Sequence, residues 1–66
     1  MKIVVNDVER EVSQGITIAQ LLTELEMAGR HLAVEVNLEL VPRARHGDHH
    51  LQPADRLEIV TFVGGG

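Results

Sequence analysis

Leu57-Glu58-Ile59-Val60-Thr61-Phe62-Val63-Gly64-Gly65-Gly66 is a strand that runs into three glycines. Its first seven residues are mostly β-branched or apolar, which reads as a strand. An apolar, β-branched run, Lys2 to Val5, also opens the chain. Apolar runs at both ends predict that the first and last strands pair in the middle of a sheet. Parallel strands need a long crossover, and the helical middle of this chain supplies one. The glycines carry a different signal. A terminal glycine has no Cβ beside its α-carboxylate, so it can enter a narrow slot in another protein. Glycine also adopts φ and ψ values closed to other residues, so such a tail bends to fit. Three residues reach at most about 10 Å. Taken alone, a glycine-rich end is ordinarily a frayed tail, and the rest of the chain decides between the two readings.

With 66 residues the chain has room for one domain and one small core. A domain of this size buries only about 60 % of its unfolded surface, so its stability is marginal. There is no cysteine, hence no disulfide, no thiolate metal site and no catalytic thiol. That composition fits a reducing cytoplasm. No apolar run has the length of a membrane span, and the N-terminus has no signal-peptide pattern. The net charge is −4 and Phe62 is the one aromatic residue. Such a chain is a poor nucleic-acid binder, and protein partners with basic surfaces fit it better.

Working back from the last strand, Pro53-Ala54-Asp55 is a turn and Arg43 to His50 is polar and loop-like, with Leu51 as a lone apolar plug. Leu32 to Asn37 alternates, with Leu32, Val34 and Val36 inward. Leu38 to Val41 is a shorter strand ended by Pro42. A helix is predicted over Ile18 to Ala28, about 16 Å long. Thr17 and Gln20 form its capping box, and Ile16 and Leu21 its hydrophobic staple. Ile18, Leu21, Leu22 and Leu25 share one face, and Gly29 is the predicted left-handed stop. Val8 to Val12 returns against the first strand through the turn pair Asn6-Asp7. The expected fold is therefore α+β, in the order ββαβββ: residues 1–63 form one roll with a single helix on a mixed sheet, and 64–66 form a flexible tail.

Chemistry-bearing side chains are sparse. His46, His49, His50 and Asp48 cluster, but in a short loop with no fixed scaffold, so they read as solvated and no metal site is expected. Ser13 has no partner for nucleophilic work. Gly64-Gly65-Gly66 lacks the lysine and helix of a phosphate-binding loop, so the chain binds no ATP itself. With Ile59 inward, Val60 and Phe62 face outward together with Glu58, and with Val4 and Glu35 of neighbouring strands. Val4, Glu35, Val60 and Phe62 beside the tail read as a partner-docking patch. The alternative is a bulge that turns Phe62 into the core.

This element order resembles the β-grasp fold of ubiquitin-like proteins. Gly29-Arg30-His31-Leu32-Ala33-Val34-Glu35-Val36-Asn37, continuing Leu38-Glu39-Leu40-Val41-Pro42-Arg43, resembles the middle of the thiamine-biosynthesis sulfur carrier family (ThiS). So do Met1 to Asn6, Asp55 to Val60 and the ending Val63 to Gly66. Two turns depart from the family pattern. Asn6-Asp7 stands where the family usually has Asn-Gly, and Ala54-Asp55 where it often has Gly-Asp. Asp tolerates positive φ; Ala54 implies an ordinary turn or some strain.

The resemblance implies a carrier, with no catalytic residue of its own. A partner adenylating enzyme would use ATP to activate the carboxylate of Gly66, with Gly64 and Gly65 threading the partner's channel. A sulfur donor, such as a cysteine desulfurase, would convert the adenylate into a thiocarboxylate. Thiazole synthase would then take the sulfur. The resemblance leaves alternatives open: a carrier for molybdopterin synthesis or tRNA thiolation, a ubiquitin-like modifier that forms isopeptide bonds, or an interaction module with an inert tail.

Overall fold

In the computed structural model, residues 1–62 are described. The elements are β1 (Lys2–Val5), β2 (Val8–Glu11), α1 (Ile18–Glu24), β3 (Leu32–Val36), β4 (Glu39–Val41), a short 3-10 turn (Arg43–Arg45) and β5 (Arg56–Thr61). They form one five-stranded sheet in the order β2-β1-β5-β3-β4. The two ends of the chain meet at its centre, where β1 and β5 run parallel with Val4 opposite Arg56 and Val5 opposite Leu57. The other three pairings are antiparallel. Helix α1 supplies the crossover that a parallel central pair needs.

Strand alternation sends one set of side chains to a single core. Ile3, Val5, Val34, Val36, Val41, Leu57 and Ile59 meet Ile16, Ile18, Leu21, Leu22 and Leu51 there. Leu51 is 1 % exposed, so the plug is as buried as Leu21 of the helix. Among the described residues no helix is long and apolar enough to cross a membrane.

The start of α1 is where the sequence places it. Thr17 accepts from Gln20 N–H at 3.1 Å and donates its own N–H to the Gln20 side chain at 2.9 Å. Staple residues Ile16 and Leu21 are both buried. Two further helix-end N–H groups, those of Ile18 and Ala19, donate to the carbonyls of His49 and His46. The loop is thereby held over the helix end, and His46 is buried with its Nε2 2.9 Å from the Val41 carbonyl oxygen. This corrects the expectation of a wholly solvated loop: unmet helix donors recruit backbone carbonyls that a composition scan does not register.

The end of α1 also differs from expectation. The helix stops at Glu24, and Glu26, not Gly29, takes the left-handed position with φ 59°. Met27 N–H donates to Leu22 and Glu26 N–H to Thr23, the Schellman pair of bonds. Met27 then packs against the core, as the motif favours. Gly29 serves a second reversal, with φ 82°.

Both hairpins turn through two residues with positive φ, Asn6-Asp7 and Asn37-Leu38, which is the type I′ signature. Leu38 thus belongs to the turn, and β4 begins at Glu39. Each turn asparagine also reaches β5. The Asn6 amide donates to the Ile59 carbonyl at 3.1 Å and accepts the Ile59 N–H at 2.8 Å. Asn37 Oδ1 accepts the Arg56 N–H at 3.0 Å, and its Nδ2 donates to Asp55.

Candidate docking face and tail root

The sheet has one face on the core and one free of the helix, and register sets what the free face carries. Glu35 lies opposite Glu58, Ala33 opposite Val60, and Leu32 opposite Thr61 in unbroken steps. No bulge interrupts β5 before Thr61, so Phe62 keeps the outward parity of Glu58 and Val60. It is 60 % exposed, and its N–H is bound to the His31 carbonyl at 3.0 Å. The structure thus favours an outward Phe62 over one turned into the core.

Val60 is also exposed, while Glu35 and Val4 are half-buried. The four predicted patch residues share the face but form two groups. Glu35, Val60 and Phe62 gather at the upper half of β5, near the root of the tail. Val4 sits beside Arg56, four residues lower on the strand ladder, or about 13 Å. Glu58 stands between them.

One residue that the sequence reading passed over joins the upper group. Leu40 lies opposite Glu35 on β4 and is 64 % exposed. The signal was present in the order Glu39-Leu40-Val41: once Val41 is inward, Leu40 must face out. The upper face is thus an apolar crescent of Phe62, Val60, Ala33 and Leu40 around two carboxylates.

Those carboxylates are a cross-strand pair of like charge, which is unfavourable in an isolated sheet. Among the described residues neither forms an ion pair. The ion pairs present are Arg56 with Asp7 and the terminal amine with Glu11. An apolar crescent around unpaired acids can receive a surface that is apolar with a basic centre.

Gly64, Gly65 and Gly66, together with Val63, lie outside the described residues. Among the described residues no group of three or more His, Asp or Glu side chains is placed to hold a metal ion. The exposed ring of His50 bonds instead to the Gly15 carbonyl at 2.8 Å.

Comparison with known proteins places this geometry in a family. The profile of the ThiS family matches residues 1–66. A thiazole synthase of Paramagnetospirillum magneticum is 46 % identical over 66 residues, which are all of this chain but 20 % of that protein. The sulfur carrier protein ThiS of Escherichia coli is 29 % identical over 66 residues, the full length of both. The crystal structure of a thiamine biosynthesis protein (ThiS) from Geobacter metallireducens superposes with a TM-score of 0.85 at 28 % identity, covering 100 % of both chains. This chain therefore spans about a fifth of the thiazole synthases that it matches and the full length of the Escherichia coli carrier.

Proposed function

The chain belongs to the ThiS family, and from that premise we propose that it carries sulfur for the thiazole ring of thiamine. It acts as a co-substrate of its partner enzymes. The carboxylate of Gly66 is the carrying group. As an anion stabilised by resonance it is a poor electrophile. Attack on the α-phosphorus of ATP, in the active site of an adenylating partner, makes it a mixed anhydride with AMP and releases pyrophosphate. A persulfide on a donor such as a cysteine desulfurase then displaces AMP and forms an acyl disulfide. A thiol reductant cleaves that S–S bond, becoming oxidised to a disulfide, and leaves the thiocarboxylate. Thiazole synthase consumes that sulfur.

The observation that carries this reading is that the family match runs through Gly64, Gly65 and Gly66. The match to two thiazole synthases along the whole of this chain supports the partner that uses the sulfur. The upper crescent at the root of the tail supports docking by a protein that takes the tail, because it lies on the strand that leads there. The domain binds no ATP in this reading; it presents a carboxylate to a protein that does.

The test is intact mass. Incubated with an adenylating enzyme, ATP and a sulfur source, the protein should become heavier by the difference between one sulfur and one oxygen atom. Fragmentation should place the change at Gly66. No ATP-dependent change would defeat the reading. Adducts joined to lysine side chains would replace it with a protein modifier.

A further inference from the structure

The register leaves one backbone position of β5 open. Asn37 N–H donates to the Arg56 carbonyl, and Phe62 N–H to the His31 carbonyl. Residues 56, 58, 60 and 62 therefore turn their backbone groups toward β3. By alternation, 57, 59 and 61 turn theirs toward β1. The Leu57 carbonyl is met by Asn6 N–H at 2.9 Å. Both Ile59 groups are met by the Asn6 side-chain amide, which here stands in for a peptide unit. β1 has by then turned away into Asp7, so among the described residues nothing on that side meets the N–H and carbonyl of Thr61.

We propose that this open edge at Thr61 is where the partner that receives the tail adds an extended segment of its own main chain. The proposal rests on the carrier reading above and says how the tail is taken up. Strand addition uses main-chain bonds for affinity and alternate side chains for fit. The Asn6 amide closes the edge below Thr61, so an added strand cannot grow downward past Ile59. What stays open is the Thr61 end of β5, from which the sequence continues into Val63 to Gly66. A segment docked at that end sits next to where the tail begins in the sequence, so the protein that takes the tail is the partner that the position fits. Val60 and Phe62 present their side chains outward on either side of Thr61, so the same segment also meets the apolar crescent. A single open position is too short to be a strong aggregation edge in the free protein.

Amide hydrogen exchange on the full chain reads this directly. In the free protein Thr61 N–H should exchange fast while Phe62 N–H, already bonded, is protected. In complex with the adenylating enzyme, exchange at Thr61 should slow by at least about tenfold, as expected when a hydrogen-bonded pair forms. Thr61→Pro removes that donor without touching the β3 ladder, and a position whose N–H faces an open edge tolerates proline. It should weaken the complex while the melt stays cooperative. If the complex forms and Gly66 is converted while Thr61 exchanges as in the free protein, the edge idea falls and the carrier reading stands. Protection of Thr61 in the free protein that grows with concentration would assign the edge to a second copy and overturn the proposal. If no ATP-dependent change occurs at Gly66, the carrier reading fails and takes this inference with it.

Discussion

Phe62 is the residue at which a general rule and a local one conflict. A small protein's one aromatic ordinarily goes to the core, yet β5 keeps strict alternation and holds it outward. A charge placed there stays in water, so Phe62→Asp should leave the denaturation midpoint nearly unchanged. The same charge in a core would cost several kcal/mol, roughly 2–7 on transfer scales for an unpaired polar group alone. Binding to the adenylating partner, measured by titration calorimetry, should weaken markedly. A variant that lost its cooperative melt would mean that Phe62 is packed after all. Ala54 raises the opposite issue, backbone against side chain. Its φ is 71°, the strained one of the two outcomes that its sequence allowed. Its N–H donates to the Lys2 carbonyl at 2.8 Å, which holds it there. An alanine in the left-handed region costs about 1–2 kcal/mol, and glycine recovers part of this after its own entropy loss. Ala54→Gly should therefore stabilise the domain by about 0.5–1 kcal/mol in chemical denaturation. A neutral or destabilising result would mean that the turn bears no strain.

At the scale of the elements, asparagine at the first turn position joins the hairpins to β5. Asn6 adopts φ 49° and makes two bonds to Ile59. Asn6→Ala removes both bonds and the left-handed preference together. Two bonds at about 0.5–1.5 kcal/mol each, plus some backbone cost, predict a loss of about 2–3 kcal/mol in urea unfolding. A loss below about 0.5 kcal/mol, the lower end for one hydrogen bond, would show that water replaces the amide without penalty. This link also marks how far the sequence could be read. Element order, helix face, capping box and central pairing follow from patterns such as Leu32 to Val36 and Thr17-Ile18-Ala19-Gln20, where one periodicity or cap has no competitor. What the pattern could not give depended on long-range partners. The Asn6 bonds span 53 residues. The loop over α1 is set by helix donors seeking the carbonyls of His46 and His49. The helix ends early because Glu26 accepts a left-handed φ that the sequence would sooner assign to Gly29. The candidate docking face was legible in parity but not in extent, since Leu40 joins only through its pairing with Glu35.

For the whole molecule, the consequence of this arrangement is a division of labour along β5. Its lower half is locked between β1 and β3, with asparagines on both sides. Its upper half keeps its bonds to β3 alone and leads to the tail. Stability and chemistry are therefore separable in one strand. A change beyond Phe62 should leave the domain's unfolding untouched, because among the described residues the buried core lies within residues 3–59. It should act on reactivity alone. One alanine added after Gly66 displaces the activated carboxyl by about 3.5 Å, and a displacement of that size takes a reacting group out of near-attack geometry. Gly65→Val leaves the length unchanged but adds a branched Cβ that stiffens and widens the tail. Both variants should melt with the parent protein and both should lose most of the ATP-dependent sulfur incorporation seen by intact mass. The pair separates two causes. If the extended tail is inactive and Gly65→Val reacts normally, only the position of the carboxylate matters and the channel is wide. If both react at the parental rate, Gly66 is not the carrying group, because neither its placement nor the narrowness of the tail then governs the reaction.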